Sequence, residues 1–171
     1  NINNVFFIFA LSHLIIWTLV PSITNNNLPL DTIEALAWGS NLDWGFSKHP
    51  PMSAFFPEVF YKIFGAQDWV YYFLSQIFVL VAFYYVFNFA NEILASISLA
   101  LISILLLSSI YFYNFTTPEL NVNVCQLPFW SMVVYYSWRI YDSKEIKLSD
   151  CLLVGIFAAI GFLSKYLFIY L

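Results

Sequence analysis

Asp31 and Glu34 stand three residues apart in LDTIEALAWG, a spacing that puts both carboxylates on one side of a helix. Carboxylates so placed could take a proton from a hydroxyl or an amine, with burial and neighbouring charge tuning their proton affinity. Helix capping by Asp31 and simple solvation of both acids explain the same spacing. Further on, Lys48 and His49 precede the paired prolines Pro50 and Pro51, which restrict the backbone and give the two side chains a defined direction. A lysine held this way is a compact charge for phosphate oxygens. A rigid turn whose lysine meets a lipid headgroup is the competing account. Trp38, Trp44 and Phe46 lie between the two motifs. They could stack on a sugar face or anchor the segment at a bilayer surface, the commoner use of tryptophan.

Two more groups of polar residues interrupt apolar sequence. TTPELNVN places Glu119, Asn121 and Asn123 at the mouth of an apolar run, where an ionisable group is a candidate for function and an acid after Pro118 also suits a helix start. Lys165, in GFLSKYL, follows another such run and could snorkel to headgroups or meet a lipid phosphate. His13, inside the first apolar run, reads as a packed, hydrogen-bonded core residue and not as a ligand. Cys125 and Cys151 both sit in apolar stretches, with no CxxC motif and no His/Cys set at metal-ligand spacing. Neither a disulfide nor a metal is expected, and no other cofactor.

The elements that must position these residues are membrane helices. Of 171 residues, 61% are hydrophobic and 9% charged, against about a quarter charged in soluble domains. The net charge of −4 is spread along the chain and provides no basic face, so nucleic acid is not an expected partner. Spans of roughly twenty apolar residues are expected from about Val5 to Val20, Trp69 to Phe89, Ala95 to Tyr113 and Val122 to Ile140, with a shorter fifth from Cys151. The expected fold is therefore an all-α integral membrane bundle of about five spans, with a long 21–66 loop carrying two short interfacial helices. One of these should start after Pro29. The other should open after Pro51, bend at Pro57 and stop at Gly65. Arg139, Lys144 and Lys147 cluster in the turn after the fourth span, which assigns that turn to the cytoplasm and the 21–66 loop to the outer side. The start without Met and the end inside an apolar run lead us to expect the N-terminal part of a longer chain.

Taken together, DTIEALAWGSNLDWGFSKHPP, KIFGAQDW, TTPELNVNVCQLPFW and FLSKY resemble the polyprenyl-phosphate-sugar-dependent membrane glycosyltransferases. These include the dolichyl-phosphate-mannose protein mannosyltransferases and the bacterial aminoarabinose transferases of lipid A. The resemblance runs from about Val5 to Leu171. It implies a C-type glycosyltransferase fold and transfer from a polyprenyl-phosphate sugar to a lipid or protein acceptor at the outer face of the membrane. It places Asp31 at the family's catalytic aspartate. Family members often have adjacent Asp-Glu, whereas this chain has Asp31-x-x-Glu34, so Glu34 is carried as a second catalytic candidate. Lys48, His49, Trp44, Glu119, Asn123 and Lys165 are the corresponding substrate-binding candidates. Amino-acid usage rich in Asn, Ile, Phe and Tyr, with Lys over Arg, fits a bacterial source and hence an inner membrane with the loop on its periplasmic side. A non-catalytic binder or translocator of lipid-linked sugars, or a membrane scaffold subunit, are the alternatives.

Overall fold

The structure is a computed structural model and describes residues 2–171. Within them the chain forms seven α-helices and two 3-10 turns, with no strand among the described residues. In order they are α1 (Ile2–Thr24), α2 (Leu30–Gly39), α3 (Met52–Phe64), α4 (Asp68–Leu94), α5 (Ile97–Ser108), α6 (Val122–Asp142) and α7 (Leu148–Ser164). The 3-10 turns span Tyr111–Tyr113 and Tyr166–Tyr170.

Helices α1 and α4 have the length and apolarity to cross a membrane. The outward face of α1 leaves Phe7, Ile8, Leu11, Ile15, Ile16 and Leu19 exposed. In water that stripe would be an aggregation patch, whereas in lipid it faces its own solvent. The core lies where α1, α4, α5 and α6 meet, around Phe6, Leu74, Phe78, Val79, Phe83, Ile104 and Val124. Aromatic packing reinforces it, with the Phe6 and Phe87 rings stacked at 4.6 Å. Between apolar helices in lipid such contact packing, together with interhelical hydrogen bonds, provides most of the attraction.

Helix boundaries depart from the sequence expectation at several helices, α4 among them, which runs on from the expected Phe89 to Leu94. Helix α1 continues past Pro21 to Thr24, although Pro21 offers no N–H to the Trp17 carbonyl, and it ends within one turn of that lost bond. The expected third span is broken. Helix α5 has only 12 residues, roughly 18 Å at 1.5 Å per residue, and the chain then turns through Tyr111–Tyr113. Hydropathy counted the aromatic residues beyond Ser108 as span, yet Tyr113 packs its ring against Phe83 and turns the chain back. Helix α7 begins at Leu148, ahead of the expected Cys151, and runs for 17 residues. The two short helices of the 21–66 segment form as expected, with Gly65 at φ 74° closing α3. The Phe-rich face of α3 is divided. Phe56 contacts Phe78 and Phe129 of the bundle, while Val59 and Ile63 stay exposed.

Helix α2 lies tightly on α3. A Cβ at Gly39 would come within 2.7 Å of the Ala54 carbonyl oxygen and 2.9 Å of the Glu58 Cβ. Only glycine allows this approach, which sets the position of everything α2 carries.

Candidate active site

Helix α2 starts with Pro29 at its N-cap, and no side chain there bonds the free backbone N–H groups. Such groups attract an acceptor from elsewhere. Here it comes from a distant part of the chain: the Asp31 N–H donates to Glu119 Oε1 at 3.3 Å. One residue on, the buried Thr32 hydroxyl donates to the Leu120 carbonyl at 3.1 Å. Glu119 thus acts as a cap supplied in trans to its own helix, with its negative charge at the positive end of the α2 dipole. This contact fixes the first turn of α2, and Asp31 with it, against the 114–121 segment.

That segment is in turn fastened to the bundle by residues the sequence reading passed over. The Ser75 hydroxyl donates to the Thr117 carbonyl. The Gln76 amide lies 3.4 Å from Thr117 Oγ1, and that hydroxyl donates to the Tyr113 carbonyl at 3.1 Å. Ser75, Gln76 and Thr117 are fully buried. Two polar residues in the middle of an apolar helix were the available signal, because a buried polar group demands a partner. His13, expected to be a packed, hydrogen-bonded core residue, is buried beside Phe9, Trp17 and Phe83, but its Nε2 has no hydrogen-bond partner among the described residues.

Asp31, Glu34, Ala35, Trp38, His49, Ser53, Asn121 and Val122 line one narrow cleft of about 10 Å³, scarcely room for a single water. Glu34 is held across its mouth by Lys48, whose Nζ donates to Oε2 at 2.7 Å. This bond and the Glu34 charge raise the Lys48 pKa, so the ammonium is fully charged at neutral pH. His49 behaves oppositely. Partial burial lowers its pKa most and the Lys48 charge next, against the opposing influences of Glu34 and Asp31, with Lys165 contributing least. At neutral pH the uncharged imidazole predominates. It is set edge-on to the Trp38 ring at 5.8 Å, and Trp38 stacks on Phe46 at 5.3 Å. The His49 carbonyl accepts from the Phe46 N–H at 3.3 Å, closing the intervening turn.

Lys165 follows α7 and donates from Nζ to Asn123 Oδ1, in the first turn of α6. Asn121 caps that turn, accepting the Asn123 and Val124 N–H groups at 2.9 and 3.2 Å. The expected candidates therefore fall into four groups. Asp31, Glu34 and His49 share the cleft. Glu119 and Lys48 border it, each through a contact to one of these residues. Lys165 and Asn123 bond each other outside its lining. Trp44 stands apart, three-quarters exposed and edge-on to Phe55. No set of three or more His, Cys, Asp or Glu side chains that could hold a metal occurs among the described residues.

The sequence model described as dolichyl-phosphate-mannose-protein mannosyltransferase matches residues 48–171. The chain belongs to that family. Membership makes it a membrane glycosyltransferase of the kind that works with a lipid-linked sugar donor. The mannosyltransferase match takes in Lys48, His49, Glu119, Asn123 and Lys165, and begins after Asp31, Glu34 and Trp44. No curated protein and no solved structure matches the chain.

Proposed function

We propose that the protein transfers a glycosyl group from a polyprenyl-phosphate sugar to a hydroxyl or amine of a lipid or protein acceptor, at the outer face of a bacterial inner membrane, with Asp31 as general base. The supporting observation is the convergence at one cleft of Asp31, His49 and, at its border, the cation Lys48, with the charge of Lys165 acting on His49, in a chain of the mannosyltransferase family.

Asp31 would take the proton from the acceptor as its oxygen or nitrogen bonds to the anomeric carbon. The bond from that carbon to the phosphate oxygen breaks with its electron pair, so the polyprenyl phosphate departs as an anion. Single displacement inverts the anomeric configuration. Lys48 and Lys165 supply positive charge where that anion develops, while a neutral His49 contributes hydrogen bonding and not charge. Glu34 holds Lys48 in the resting state and would release it as phosphate oxygens replace the carboxylate. A cleft this narrow admits the reacting acceptor group only, so the sugar would lie across its mouth, beside Trp38. Trp44, exposed away from the cleft, would meet the acceptor or the membrane surface.

The test uses the full-length protein in proteoliposomes, supplied with a radiolabelled polyprenyl-phosphate sugar and a pool of lipid and protein acceptors. Label should pass to an acceptor with the wild type and not with Asp31→Asn, while both bind donor. Binding without transfer in the wild type would overturn the enzyme reading in favour of a binder or translocator. Absence of both would leave a scaffold.

A further inference from the structure

A second polar cavity lies at the other end of α6: Val122 at the start of that helix lines the Asp31 cleft and Asp142 at its end lines this cavity, 21 residues or roughly 30 Å of helix. It measures about 200 Å³ and is lined by Glu92, Arg139, Asp142, Ser143, Lys147 and Asp150. We propose that this cavity binds the headgroup of a phospholipid carrying both a phosphate and a primary ammonium, as in phosphatidylethanolamine. The site is independent of the transfer reaction.

Internal pairing decides what the cavity has left to offer. Arg139 bonds the buried Asp150 at 3.5 Å and lies over the Tyr135 and Tyr136 rings, 5.7 Å from each centroid. Glu92 accepts from the Tyr135 hydroxyl at 2.8 Å. Lys147 has no carboxylate within ion-pair distance, and Glu92 and Asp142 have no cation within it, among the described residues. One lining ammonium and two lining carboxylates therefore stay uncompensated in a single cavity. A simple anion entering it would meet two carboxylates, and a simple cation would meet Lys147 and Arg139. A ligand bearing both signs satisfies both sets. Its phosphate would bond Lys147 with help from Arg139, and its ammonium would donate to Glu92 and Asp142.

The surroundings indicate a lipid and not a free metabolite. The cavity sits where an apolar membrane-length helix ends, and Ile93, Leu94, Tyr141, Ile146 and Leu148 stand exposed beside it. Acyl chains attached to a bound headgroup would lie along these side chains. A primary ammonium has three N–H donors for the two carboxylates. A trimethylammonium has none, and a glycerol headgroup has no positive charge.

Native mass spectrometry of the full-length protein from nanodiscs containing equal phosphatidylethanolamine, phosphatidylcholine and phosphatidylglycerol tests this. One phosphatidylethanolamine should be retained about tenfold over either competitor. Lys147→Gln with Asp142→Asn should remove the preference, and Lys62→Gln, at the opposite end, should keep it. Equal retention of the three lipids, or preference for phosphatidylglycerol, would overturn the proposal. If the double variant does not fold, competition on the wild type decides instead. Soluble phosphoethanolamine should displace the lipid only at far higher concentration than a short-chain phosphatidylethanolamine does, and inorganic phosphate should fail to displace it. Displacement by inorganic phosphate as readily as by the short-chain lipid would reduce the cavity to an anion site and sink the headgroup assignment.

Discussion

The two polar ends of the bundle are built in different ways. At the Asp31 end the decisive bonds join residues far apart in sequence: Asp31 to Glu119 and Thr32 to Leu120 across 88 positions, and Lys165 to Asn123 across 42. At the other end Arg139 reaches Asp150 across a single helix–turn–helix, and only Glu92 arrives from further away. A site assembled from distant segments depends on the intervening helices packing correctly. A site on one hairpin depends mainly on its turn. The first arrangement suits chemistry, since each contributing loop can be positioned by a separate part of the scaffold. The second suits a static charge pattern at a membrane surface.

Substitutions at five positions, the last read by pH titration, probe this difference, in falling order of effect. Asp31→Asn should lower transfer by roughly 10²–10⁴-fold, the usual worth of a general base, with donor binding changed only a few-fold in the same preparation. Arg139→Gln strands the buried Asp150 carboxylate. It should cost about 1–3 kcal/mol of stability, reduced from a fully buried pair because Arg139 is one-third exposed, and thermal unfolding in detergent would read it. Glu119→Ala removes the cap from α2 and should cost ~0.5–2 kcal/mol, together with faster amide exchange at Asp31. Glu119→Gln keeps an acceptor oxygen and should recover most of that protection. If the Ala and Gln variants exchange alike, the capping role is wrong.

Gln76→Leu loses the bond from α4 to the 114–121 segment, worth ~0.6–1.7 kcal/mol by analogy with polar bonds between helices in lipid. Its mark should be increased amide exchange confined to 114–121. Loosening spread evenly over the bundle would mean that Gln76 serves packing alone. The smallest effect concerns His49. Its folded pKa lies below the ordinary 6.5, so the folded state holds this proton less tightly than the unfolded chain. The resulting stability is complete above about 6.5 and is lost as pH falls through the lowered folded value. Replacement by Gln should flatten that acid-side loss, measured as the difference between the two pH–stability curves.

Much of the local structure was legible in residue types. Pro29 before Asp31-Thr32 and the Pro51 to Gly65 bracket delimited α2 and α3, because proline and glycine act on the backbone whatever surrounds them. The membrane helices α1 and α4 followed from hydrocarbon content. The break after Ser108 did not. Whether an aromatic run continues a span or folds back depends on where its rings find partners, and Phe83 lies in another helix.

The sequence by itself determined the solvent of this protein, the start and stop of its short helices and the residue types able to do chemistry, since these are properties of single residues and of their neighbours along the chain. Only the tertiary structure decided that Glu119 caps α2, that Glu34 pairs with Lys48, and that Ser75 and Gln76 hold the segment between them and the cleft. Each of these bonds joins groups brought together by helix packing. A backbone N–H left open by Pro29 or a polar side chain buried in α4 requires some partner, and the fold alone determines which one.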